Sequence, residues 1–123
     1  VAEKYRLPYA IQLERIGCNA ASAADNLLTE NPGVDGVFCS SDDEAIALMM
    51  IANKRNLRIP EDLRIIGFDG TKIALDLNIT TIRQPIEEIG RRAFLMLLDQ
   101  MENKNSEIRH DVLPVELHVG KTT

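Results

Sequence analysis

Ile59-Pro60-Glu61-Asp62-Leu63-Arg64-Ile65-Ile66-Gly67-Phe68-Asp69-Gly70 is the stretch that decides the fold. Pro60 punctuates a connection. Leu63 to Phe68 reads as a strand whose apolar run calls for burial on both faces, and Asp69-Gly70 reads as the turn that ends it. Strands of that kind belong to parallel sheets covered by helices. The flanking sequence supplies those helices. Ser41 begins a helix that reaches about Arg55, with Asn56 suited to the left-handed position just past its end. Before it, Val34 to Cys39 is a strand. Before that, Ala20 to Glu30 is a helix carrying Ala20, Ala23, Ala24, Leu27 and Leu28 at helical spacing, ended by Asn31-Pro32-Gly33.

Moving outward, Tyr9 to Leu13 behind Pro8 is a short first strand, and Ile79 to Arg83 a short fourth. The most regular helical pattern runs from Ile86 to Met101, where Ile86, Ile89, Gly90, Ala93, Phe94, Leu97, Leu98 and Met101 recur at three and four. Pro85 suits its first turn. Asn103 to Glu107 forms a polar loop. Val112 to Val119 closes as an edge-like strand, because Pro114 cannot donate to a ladder on both sides. Strands alternating with helices predict an α/β fold, a mostly parallel sheet flanked by helices.

With 123 residues, 45% of them hydrophobic, the chain builds one domain rather than two. No segment approaches the roughly 18 apolar residues of a membrane span, and Val1 to Arg6 lacks the layout of a signal peptide, so no membrane association is expected. The chain opens without Met and closes on Gly120-Lys121-Thr122-Thr123, which reads as flexible, as expected of a piece of a longer protein. A net charge of -5 argues against a grip on phosphate backbones. Cys18 and Cys39 form neither a disulfide framework nor a metal motif, and as two buried, reduced thiols they fit a cytoplasmic origin.

Ligands of parallel α/β sheets collect outside the carboxyl ends of the strands. That rule selects Glu14 and Arg15 after the first strand, Ser40 to Asp42 after the second, and Asp69 with Gly70 after the third. Ser41 to Glu44 also spells a capping box, with the serine accepting the third helical N–H and the glutamate reaching back. Capping and ligand binding can coexist at Ser41 and Asp42. Asp69 follows an apolar strand, where a carboxylate must be solvated, paired or committed to a ligand. Arg91 and Arg92 read as solvated surface. His110 and His118 lack supporting ligands, and no metal or cofactor is expected. Enzymatic chemistry has little support: Ser40 and Ser41 lack the glycines of a nucleophile elbow, and no phosphate-binding glycine loop occurs.

Val37 to Asp42 with Ala45, then Asn56 to Asp62, then Ile65 to Asp69, then Thr80 to Gly90, then Leu113 to Leu117 follow one another in a fixed order. In that order they strongly resemble the LacI/GalR family of transcription repressors. The resemblance implies one lobe of a periplasmic-binding-protein-like effector domain, the C-terminal lobe with its returning helix and strand, the DNA-binding domain lying outside residues 1–123. It implies a cytoplasmic homodimer that senses a small molecule, most often a sugar, and meets operator DNA only through that absent domain. In the family the helix matching Ile86 to Met101 packs on the other lobe, so an isolated chain would expose its apolar stripe or dimerise through it.

Carried over residue by residue, Asp69 resembles the carboxylate that binds ligand hydroxyls, and Ser41-Asp42 stands where Asn-Asp is usual. Arg15 falls where an aromatic ring often stacks, a departure that a guanidinium plane can partly replace. The implied mechanism is allosteric, and requires an effector that binds the two closure states unequally. Two other readings share the architecture: a periplasmic sugar-binding protein, and a regulator of the same family that answers to a phosphoprotein corepressor.

Overall fold

A computed structural model of the chain describes residues 19–102 and 109–123. The expected first strand at Tyr9 to Leu13, with Glu14, Arg15 and Cys18, lies outside the described residues, as does the loop at Asn103 to Glu107. Eight elements follow in order: α1 (Ala20–Glu30), β1 (Gly36–Phe38), α2 (Asp42–Lys54), β2 (Arg64–Asp69), α3 (Lys72–Asp76), β3 (Thr80–Arg83), α4 (Ile86–Glu102) and β4 (Glu116–His118). The four strands form one sheet in sequence order. β1, β2 and β3 are parallel, and β4 joins antiparallel beside β3.

Local chemistry accounts for the helix ends. Asn19 caps α1 by accepting the Ser22 N–H at 2.8 Å. Ser41 caps α2 by accepting from Glu44 N–H, and Asp42, Asp43 and Glu44 fill its first turn, where the helix dipole favours negative charge. The Glu44 carboxylate reaches back one residue farther than a capping box requires, taking both the N–H and the hydroxyl of Ser40. At the other end Asn56 takes φ 59° as expected. Its N–H bonds to Asn53 and the Leu57 N–H to Ala52, the paired bonds of a Schellman motif. The same pairing closes α3, with Asn78 at φ 56° and the Ile79 N–H on the Ala74 carbonyl. This short helix was not expected from the sequence.

The core lies between the sheet and α1 with α2, around Leu28, Ala45, Leu48, Ala52, Leu63, Ile65 and Ile79. α2 runs over the face of β2 that carries Ile65 and Gly67. The alternating residues Ile66 and Phe68 stay half-buried, and Phe38, edge-on to Phe68, is 62% exposed. Burial of β2 is therefore strong on one face and partial on the other, a departure from the expected burial on both. The stripe of α4 is likewise open: no residue of the helix is buried, and Met101 is 68% exposed. β4 is shorter than expected. Pro114 and Val115 precede it rather than joining the ladder.

The tail overturns the expectation of a flexible end. Thr122 is buried, at 4% exposure, and stands beside β2 where β3 has not yet begun. Its carbonyl accepts from Ile65 N–H, and its hydroxyl accepts from Thr80 N–H and donates to the Ile65 carbonyl. Gly120 passes so close to Asn78 that a Cβ would lie 2.1 Å from the Asn78 carbonyl oxygen. Composition reads as loose; the hydrogen bonds fix it.

Two half-buried carboxylates titrate low. Three hydrogen bonds from Arg58 hold Asp62 at about 2, and the guanidinium groups of Arg91 and Arg92 hold Glu88 at about 2. Arg91 and Arg92 are thus paired rather than merely solvated. A folded pKa below the unfolded one gives stability that is present above about pH 4 and lost as pH falls toward 2. The urea midpoint is expected to fall over that window, and Arg58→Ala to flatten the fall. Equal slopes in the two proteins would refute the assignment.

Candidate functional site

The carboxyl ends of β1, β2 and β3 lie side by side; of the polar groups selected by the strand-end rule, Ser40 to Asp42 and Asp69 with Gly70 follow β1 and β2, while Glu14 and Arg15 lie outside the described residues. Cys39, Ser40 and Ser41 follow β1; Asp69, Gly70 and Thr71 end β2; Gln84 follows β3. Asp69 is half-buried. Its Oδ1 accepts from the Gln84 amide at 2.7 Å, and its carbonyl from the Gln84 N–H at 3.1 Å. Among the described residues, the hydrogen-bond partner of this carboxylate is a neutral side-chain amide. Asp69 has φ 120° and Gly70 φ 74°. The first value is costly for any residue with a Cβ, on the order of 1–3 kcal/mol, and such strain persists only where surrounding bonds over-determine it.

Asp42 departs from its expected role. The sequence places it beside Ser41, facing a ligand; the structure buries it completely, with both oxygens bonded inside the protein. Oδ2 accepts the Thr71 N–H at 2.6 Å, and Oδ1 the Thr81 hydroxyl at 2.6 Å. Gly67 makes room for it, since a Cβ there would lie 2.4 Å from Oδ1. A buried carboxylate is tolerable because both oxygens are satisfied and the N-terminal dipole of α2 lies beneath it.

Ser41 is a helix cap, and Ser40 is engaged by Glu44, so both hydroxyls are already oriented. Arg15 lies outside the described residues. Gln84 was missed. Extending the strand-end rule to Ile79–Arg83 would have found it, because it is the first residue beyond that strand. Among the described residues no group of three His, Cys, Asp or Glu could hold a metal ion.

Cys39 is buried, and burial with the nearby Glu44 and Asp42 pushes its thiol up to about 12. The thiolate is the reactive form, so this cysteine is inert in the folded state. In a Cys18→Ser background, Cys39 is expected to react with iodoacetamide at pH 8 only after denaturant is added. Rapid labelling of the native protein would contradict the burial.

A periplasmic binding protein-like domain model matches residues 3–123. The chain belongs to that family. Within it the chain is of the LacI/GalR type. The ribose operon repressor of Halalkalibacterium halodurans is 38% identical over 79% of this chain, and the repressor CytR of Escherichia coli is 42% identical over 71%. These matches span about 30% and 26% of the relatives' own lengths. Among solved structures, a CelR transcriptional regulator in complex with cellobiose superposes with a TM-score of 0.87 at 26% identity, covering 99% of this chain and 39% of that one. A LacI-family regulator from Enterococcus faecium with bound ribose gives 0.81 at 26% identity, covering 99% and 47%. Among the described residues, no helix is long and apolar enough to cross a membrane.

Proposed function

We propose that this chain is the C-terminal lobe, with returning helix and strand, of the effector-binding domain of a LacI-type bacterial transcription repressor. The observation that carries the reading is the convergence of Asp69, Gln84 and Ser41 at the carboxyl ends of parallel strands. An anionic acceptor, an amide and a hydroxyl suit a ligand rich in hydroxyl groups, because each hydroxyl can both donate and accept. The sugars held by the related CelR and Enterococcus faecium regulators are of that class. Asp69 and Ser41 are the effector contacts of this lobe. Arg15 supplies a further contact, and Asp42 serves the site from behind.

The whole protein is cytoplasmic and dimeric, catalyses no reaction, and meets operator DNA through a separate N-terminal domain. Effector binding shifts the balance between closure states, and a coupling of about 1–3 kcal/mol changes operator affinity about 5- to 150-fold. A thermal-shift screen of the full-length repressor tests this, using D-ribose, cellobiose, sugar phosphates and nucleobases. A true effector at about 100 times its Kd stabilises the folded state by about 2.7 kcal/mol. A ligand that raises the melting temperature and changes operator binding supports the reading. A full-length protein whose DNA affinity responds to none of these classes sinks it.

A further inference from the structure

We infer that Asp42 is the positioning residue of the effector end: its carboxylate fixes the backbone of Asp69, and so the direction in which Asp69 and Gln84 face the cleft, without touching the effector. The inference rests on the reading of Asp69 as an effector contact, but its physical basis is independent of any ligand.

Asp42 opens α2, directly after Ser41, yet its two oxygens bind the turn that leaves β2 and the second residue of β3. One holds the Thr71 N–H, two residues beyond Asp69; the other holds the Thr81 hydroxyl, three residues before Gln84. A single buried carboxylate thus joins the exits of β1 and β2 to β3. Between Thr71 and the end of β2 lie Asp69 at φ 120° and Gly70 at φ 74°. Such a backbone needs anchors on both sides. Gln84 anchors Asp69 through side chain and main chain, and Asp42 anchors Thr71. Gly67 leaves the space that Oδ1 occupies, and Gly70 passes 2.7 Å, measured to a built Cβ, from the Arg83 Cα, so the turn is pressed against β3 where Gln84 begins.

Because the Thr81 hydroxyl can accept as well as donate, asparagine at position 42 can keep both ties: Oδ1 takes the Thr71 N–H and Nδ2 donates to Thr81, at the cost of leaving the second Nδ2 proton and the Thr81 proton without the acceptor that the carboxylate supplied. Alanine leaves both groups unpaired. This separates position from mere stability. Two-dimensional ¹H–¹⁵N spectra of the chain, without ligand, report the Asp69 and Gly70 amides and the side-chain amide pair of Gln84. Asp42→Ala is expected to move or broaden these signals and collapse the Gln84 pair toward the position of a free glutamine. Signals of α1 around Asp25 should stay in place. Asp42→Asn is expected to restore the wild-type pattern.

Trimethylamine N-oxide, an excluded osmolyte that favours the compact state, keeps a weakened variant folded during the measurement. If Asp42→Ala fails to fold even then, Thr81→Val, which removes one of the two ties, is judged by the same signals. The inference is overturned if the unfolding midpoint falls while the Asp69, Gly70 and Gln84 signals hold. It is overturned also if the disturbance spreads equally to α1, or if Asp42→Asn disturbs the site as much as alanine does. No effector is added. An effector role for Asp69 stands or falls separately, on the Asp69→Ala binding experiment.

Discussion

Asp69→Ala is expected to weaken effector binding to the full-length repressor by about 10- to 150-fold, the range set by the roughly 1.5–3 kcal/mol of a hydrogen bond to a charged group. The loss should appear as a matching rise in the effector concentration needed to change operator binding, measured by fluorescence anisotropy of labelled operator. An unchanged concentration would remove Asp69 from the site. Stability supplies a second, opposite readout. Alanine keeps a Cβ at φ 120° and discards the Gln84 bond, whereas glycine discards the same bond and relieves the backbone. After the entropy cost of glycine, about 0.5–1 kcal/mol, Asp69→Gly should be more stable than Asp69→Ala by up to about 2.5 kcal/mol. It should still need the same raised effector concentration as alanine. A residue whose replacement by glycine stabilises relative to alanine while leaving the response equally weakened is kept for binding, not for folding.

The parts of this fold that were legible in the sequence are those written in local chemistry. Ser41 with the acids behind it announced α2, and Asn56 announced its end, because capping and left-handed closure involve residues within a few positions of each other. The β2 strand and its terminal carboxylate were legible through an apolar run and a turn dipeptide. α3 was not, since the helix of Lys72–Asp76 is too short to show a period. Its signals were only Thr71, three residues before Ala74, and Asn78.

What the sequence concealed was the partner of each polar group. Asp42 has the pattern of an exposed first-turn acid, and only the tertiary meeting with Gly67, Thr71 and Thr81 turns it inward. Asp69 was identified by type, but neither its strained backbone nor its bond to Gln84 could be read from neighbours. Gln84 itself follows a strand so short that the strand-end rule was not applied to it. Where a contact joins strands through a crossover, local pattern names the residue and leaves the role open.

Thr122 gives the clearest case, and a large expected loss of stability for the deletion of a single hydroxyl. Thr122→Val keeps shape and volume but removes the acceptor for Thr80 N–H and the donor to the Ile65 carbonyl. Each buried group left unpaired costs about 1–3 kcal/mol, so the substitution should destabilise by about 2–6 kcal/mol. For a domain of this size that lowers the melting temperature by at least about 8 °C. Thr122→Ser keeps the oxygen and loses one methyl, a cost near 1 kcal/mol. The order wild type, Ser, Val in chemical denaturation would establish that the hydroxyl, not the methyl, closes the sheet at the start of β3. Should Val equal Ser, packing rather than hydrogen bonding holds the tail. The distinction bears on function, because β3 carries Thr81 and ends beside Gln84: a tail that secures one end of β3 secures the strand on which the candidate site is built.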